Sequence, residues 1–205
     1  MTSKSLTIRD ILNHLGNTAV ANLTAGIVSV TLPQMILPLL GVPNEPISIQ
    51  TVGGFLFWIL FMLMYYLCYT VLMYFFMKKT PSAIYEKTED SRGWLVQFLF
   101  LAVPTELFLM SFNTIPWTVS LRFGRLFAMP AHFFFTLFYA GPHDRSGMLA
   151  AAQYIPMDFI AYILCHTVHL LICLCLAAWM YRKQLDRHLK VLEEKEQRYQ
   201  KSQYF

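Results

Sequence analysis

The stretch TVGGFLFWILFMLMYYLCYTVLMYFFM, residues 51 to 77, runs for 27 residues without one ionisable acid, base or histidine. A helix crosses the roughly 30 Å of bilayer hydrocarbon with about 20 such residues, so this segment reads as a tilted transmembrane helix. The rest of the chain agrees. Hydrophobic residues make up 56% of the 205 residues and charged ones 14%, against about a quarter charged in a soluble domain. Residues 11 to 44 also lack Asp, Glu, Lys and Arg, and apolar runs recur at about 94–113 and 157–181. The expected fold is therefore all-α: a polytopic membrane helix bundle of about four transmembrane helices, at 19–41, 51–77, 94–113 and 157–181. These spans form a single membrane domain over 19–181, and no length remains for a separate globular domain.

The flanking segments follow from their charges and periodicity. Ile8, Ile11, Leu12 and Leu15 share one helical face, and Thr7 and Asp10 have capping-box spacing, which predicts a short amphipathic helix on the cytoplasmic membrane surface within residues 1–18. The apolar run after Lys4 and Arg9 is not followed by a small-x-small cleavage site, so it reads as an anchor rather than a cleaved signal. Pro33, Gln34 and Pro38 should kink the first span, and Pro104 and Glu106 interrupt the third. Residues 78–93 read as a polar loop. The segment 126–140 is apolar but short, broken by Pro130 and preceded by Arg122 and Arg125, and it reads as re-entrant or interfacial. Four spans with both termini in the cytoplasm of a cell-membrane protein put thirteen Lys and Arg inside and three outside, whereas a fifth crossing would export the basic tail. That charged tail, 182–205, should continue the last helix. Its stripe of Leu185, Leu189 and Leu192 would rest on the 78–93 loop, on anionic lipid or on a partner subunit, or the helix would simply be solvated.

The net charge of +4 sits beside the spans, where topology and headgroups account for it, so nucleic acid is not expected as a partner. The partners expected are the bilayer and either another membrane subunit or a second copy. Cys68, Cys165, Cys173 and Cys175 all fall in apolar segments and read as packed thiols rather than a disulfide framework. The Asn22-Leu23-Thr24 sequon lies within a span, out of reach of glycosylation. No phosphate-binding loop, nucleophile elbow, zincin helix or paired-cysteine motif is present, which weighs against an enzyme.

DFIAYILCHTVHLL, residues 158 to 171, is the exception to the apolar pattern. Wound at about 100° per residue from Asp158, His169 falls near 20°, Tyr162 near 40°, Cys173 near 60°, His166 near 80° and Cys165 near −20°. Ile160, Leu164, Leu171 and Leu174 lie opposite. Ionisable groups at membrane depth cost a few kcal/mol and normally face a bundle interior or a wet cavity. Asp158, Tyr162, His166 and His169 thus form a polar track inside the membrane, and Glu106 with Arg122 is the expected buried charge pair. Three function classes follow. The first is a transport or channel-like component moving a proton or small cation along this face. The second is a scaffold or accessory subunit in which the histidines act as interhelical glue. The third is a metal- or haem-dependent membrane enzyme. For a metal, His166, His169, Glu106 and His132 are weak candidate ligands, with Asp158 and Cys165 behind them; for haem, only His132 and His143 stand nearby as further axial ligands. No cofactor is required by the sequence, and no recognised spacing ties a ligand set together.

Overall fold

A computed structural model describes residues 7–42, 52–88, 92–114, 130–131 and 156–203; the side chains of 87, 110–114, 156–162 and 203 lie outside that description. The described chain is helical without strands: α1 (Ile8–Leu39), α2 (Val52–Phe76), α3 (Thr80–Thr88), α4 (Trp94–Thr114) and α5 (Pro156–Gln203). α1, α2 and α5 are long and apolar enough to cross a membrane. The described apolar stretch of α4, Trp94–Leu109, is shorter, although the whole helix of 21 residues reaches about 30 Å at 1.5 Å per residue.

α1 starts where its cap dictates. Thr7 is extended, and the Asp10 carboxylate accepts from the Thr7 N–H at 2.9 Å and from its hydroxyl at 2.7 Å. It ends in a Schellman motif: the Val42 N–H reaches the Leu37 carbonyl and the Gly41 N–H the Pro38 carbonyl, both at 3.0 Å, with Gly41 at φ 76°. That left-handed turn suits a residue without Cβ. Nothing lies within 4 Å of a Cβ built there, so Gly41→Ala isolates backbone strain. It should lower stability in detergent by about 1 kcal/mol, read by thermal unfolding. No change would mean that this turn relaxes freely.

Contacts between helices fix their directions. Tyr66 meets His169 while Tyr74 meets Gln184 and Arg187, so α2 and α5 run parallel. Phe98 packs on Tyr181 and Glu106 lies near Cys173, so α4 runs the other way. Asn22 meets Tyr65 and His14 meets Phe98, which makes α1 parallel to α4. Hence α1 and α4 start, and α2 and α5 finish, at the end of the bundle where α3 lies. The start of α1 and the basic end of α5 share that end; α4 finishes and α5 starts at the opposite one.

Packing explains the pairing. α1 turns a stripe of His14, Thr18, Ala21, Asn22, Ala25, Gly26, Ser29, Pro33 and Leu37 inward, and its small residues let backbones approach without an aqueous hydrophobic force. Against it α2 turns Gly54, Phe57, Phe61, Tyr65, Tyr69 and Met73, with both helices in contact and α4 and α5 closing the bundle. The outward faces are apolar: Ile59, Leu63, Leu67, Val71 and Phe75 on α2, Leu95, Val96, Phe100, Leu107 and Phe108 on α4, and Leu164, Val168 and Leu171 on α5 are all exposed. An apolar girdle on every long helix is a lipid-facing surface, far beyond the isolated patches of a soluble monomer.

Three expectations change, and a fourth falls outside the described residues. There is no separate surface helix, because α1 runs unbroken from Ile8 through the first span, and Ile8 and Leu12 point outward while His14 is buried. Pro33, Pro38 and Pro104 are accommodated within continuous helices, so α4 does not break before Glu106. The 78–93 loop contains α3, and α3 is a helix because tertiary packing rewards it: Ile84 is buried, and Tyr85 meets the His188 ring edge-on at 5.8 Å. Leu185 is buried in the same cluster, so the tail of α5 does rest on this segment. Finally, the 126–140 segment, including His132, lies outside the described residues except Pro130 and Ala131, which are buried.

Candidate functional site

Of the polar track of the last helix, His166 and His169 turn inward. Its amphipathic period buries His166, His169, Cys173, Ala177, Tyr181 and Gln184 and exposes Leu164 and Leu171, with Leu174 partly covered. His166 is 2% and His169 6% exposed. Cys165 sits at the edge of this face, half-buried, and Cys175 points outward; all four cysteines are thiols. Asp158 and Tyr162 belong to α5 by backbone, but their side chains are outside the described residues.

What meets this face comes mainly from α2. Its tyrosines stand one turn or one residue apart, which brings Tyr65 and Tyr69 onto the buried stripe with Tyr66 at its edge. The Tyr66 hydroxyl lies 3.1 Å from His169 Nδ1, and the Tyr65 ring meets the imidazole edge-on at 5.6 Å. The Cys173 Sγ is 3.8 Å from His169 Nδ1 and 3.7 Å from Nε2. On the other side of α2, the Tyr65 hydroxyl donates to Asn22 Oδ1 at 2.6 Å. Asn22 Nδ2 in turn donates to the Thr18 carbonyl one turn back at 2.9 Å, so the amide is held in a single orientation.

Glu106 completes the cluster from α4. It is 7% exposed, and its Oε1 accepts from the Tyr69 hydroxyl at 3.4 Å. The Cys173 thiol has the Tyr69 hydroxyl as a hydrogen-bond partner, and the Glu106 carboxyl acts on it electrostatically through the low-dielectric interior. Burying a carboxyl in so apolar a region costs several kcal/mol if it is ionised and much less if it carries its proton or shares one with a neighbour. A run of exchangeable groups therefore connects the helices: Glu106, Tyr69, Cys173 and His169, with Tyr66 beside His169 and His166 three residues away on the same face.

The expected partnership of Glu106 with Arg122 falls on residues outside the description; the described partner of Glu106 is Tyr69. Among the metal candidates, Glu106 and His169 are drawn toward one cluster, yet no group of three His, Cys, Asp or Glu side chains within metal-binding geometry occurs among the described residues. Two contributions escape a reading based on charged groups: the α2 tyrosines and the α1 stripe of His14, Thr18 and Asn22. The four-residue spacing of that stripe is visible in the sequence. The three long apolar helices mark a membrane protein. No family model matches the chain, and no match was found among characterised proteins or solved structures.

Proposed function

We propose that this chain is a four-span protein of the cell membrane, both termini cytoplasmic, that passes a proton or small cation through its interior. One observation carries the reading: proton-exchanging side chains from α2, α4 and α5 converge inside the bundle, from Glu106 through Tyr69 to Cys173 and His169. Groups used only as packing need no titratable hydrogen, and Leu or Phe would fill the same space at lower desolvation cost. The orientation rests on charge. The end shared by the start of α1 and the tail of α5 carries Arg9, Lys78, Lys79, Arg92 and the cations of α5, and the positive-inside rule assigns that end to the cytoplasm.

Reconstitution tests the activity. Liposomes containing the purified chain and a trapped pH indicator should dissipate an imposed pH gradient faster than protein-free liposomes once a counter-ion pathway is supplied. Gradients decaying at the protein-free rate for protons and for sodium or potassium would sink the reading. Topology is tested separately: reporters fused at Lys87 and after Phe205 should be active on the cytoplasmic side, and one inserted at Asn44 on the other. A C-terminal reporter outside would overturn the four-span arrangement.

A second reading has its own observation. Beyond Lys190 the α5 helix is exposed on all its described faces, including Val191, Leu192 and Tyr199, as suits an accessory subunit that presents a helix to a larger membrane complex. A stoichiometric membrane partner lost on truncation after Lys190, with no ion flux, would favour it.

A further inference from the structure

At the α3 end of the bundle, the junction of α2 and α5 gathers cations at the edge of the apolar girdle. Gln184 Nε2 donates to the Tyr74 carbonyl at 3.0 Å, which clamps α5 to α2 one turn before the end of the span. Arg187 donates to the Tyr74 hydroxyl and its guanidinium lies over the same ring, 5.2 Å from the centroid. Lys183, one turn back along α5, is within Coulombic reach of that hydroxyl. Its ammonium sits 5.3 Å over the ring of Trp179, an indole that is 57% exposed. Lys78, one turn past Tyr74, is exposed too. The acid nearest in sequence, Asp186, is engaged by Arg182 at 3.0 Å.

We propose that Lys183, Arg187 and the Tyr74 hydroxyl hold the phosphate of an anionic phospholipid headgroup. Charge complementarity selects the headgroup, because Arg187 sits on the Tyr74 hydroxyl and Lys183, one turn back on the same helix, adds a second exposed cation over Trp179. The neighbours select a lipid over a soluble phosphate. Phe75 and Val71 on α2, together with Trp179, are exposed just on the membrane side of the cations, where acyl chains would cover them. Indole rings favour this depth, with an apolar body in hydrocarbon and an N–H toward headgroups. Lys183 and Arg187 place their aliphatic stems along the same aromatic faces and their charges outward.

Each basic residue near a membrane surface is worth roughly a fivefold preference for anionic lipid. The full-length chain in neutral detergent, titrated with phosphatidylglycerol or phosphatidylcholine of identical acyl chains and read by native mass spectrometry, should retain one phosphatidylglycerol with a preference of about 25-fold. Lys183→Gln with Arg187→Gln should bring that preference near unity. Lys183→Gln alone, at an exposed position that leaves the helix clamp intact, should cut it about fivefold. Tyr74→Phe, which keeps the ring, should weaken it less than either. Lys195→Gln with Arg198→Gln, farther along the tail, should leave it unchanged. Undiminished retention in Lys183→Gln, or an equal loss in the tail variant, would overturn the site. Displacement of the lipid by millimolar inorganic phosphate alone would show a soluble-anion site and overturn the lipid assignment.

Discussion

Tyr65→Ala should destabilise the protein by about 3–5 kcal/mol, the range for deleting a fully buried aromatic ring whose surroundings cannot collapse. Tyr65 is 0% exposed and sits where α1, α2 and α5 meet: it touches Asn22 by its hydroxyl, Phe61 and Tyr66 by ring contacts, and His169 by its edge. Tyr65→Phe removes only the hydroxyl. Hydrogen bonds between membrane helices average well under 1 kcal/mol because the unfolded chain in the membrane also finds partners. The volume term should therefore exceed the hydrogen-bond term several-fold. Unfolding in mixed micelles of native detergent and a denaturing one separates the two variants. Equal losses would show that this part of the bundle is loosely filled and held by polar contacts instead.

Glu106→Gln should affect function and stability in opposite directions. The amide has nearly the same shape, and its carbonyl oxygen still accepts from Tyr69, so packing is kept. The substitution also removes the cost of ever charging a carboxyl at a site 7% exposed, so stability should hold or rise slightly. What is lost is the exchangeable proton. On the proposed relay, proton flux should fall about a hundredfold or more, the scale of deleting a positioned acid–base group. Tyr69→Phe, which removes the hydroxyl between Glu106 and Cys173, should slow flux while leaving the carboxyl in place. Flux unchanged in Glu106→Gln would remove α4 from the path and leave this carboxyl a packing element.

The sequence carried the membrane class and the inward face of α5, because both rest on strong periodic signals: long charge-free runs, and polar residues recurring at 3.6-residue spacing among leucines. His166 and His169 were visible as interior residues for that reason. The partners of that face were not. α2 is apolar on every side, so no contrast distinguishes an inward Tyr65 or Tyr69 from an outward Leu63 or Leu67, and a tyrosine in a span reads equally well as an interface anchor. The α1 stripe was hidden differently. His14, Thr18 and Asn22 repeat every fourth residue, but the apolar series Ile8, Ile11, Leu12 and Leu15 masks them: Ile8 and Leu12 point outward while Ile11 packs on the core beside the polar stripe. In a bilayer the outward face is the apolar one, so the soluble-protein habit of burying the greasier side inverts the answer. α3 escaped because nine mostly polar residues have little helical signal without α5 to pack against. Continuity through Pro33, Pro38 and Pro104 is also a matter of context, since neighbouring helices stabilise backbone that proline leaves unpaired.

The proton itself can be watched at the proposed site. Infrared difference spectroscopy on proteoliposomes, stepped between about pH 5 and pH 9, isolates the Glu106 carboxyl as the band missing from Glu106→Gln. This band should change with pH, and Tyr69→Phe and His169→Gln should both shift the change. A carboxyl band that stays constant across that interval, identical in wild type and in both variants, would contradict a relay through Glu106, Tyr69 and His169.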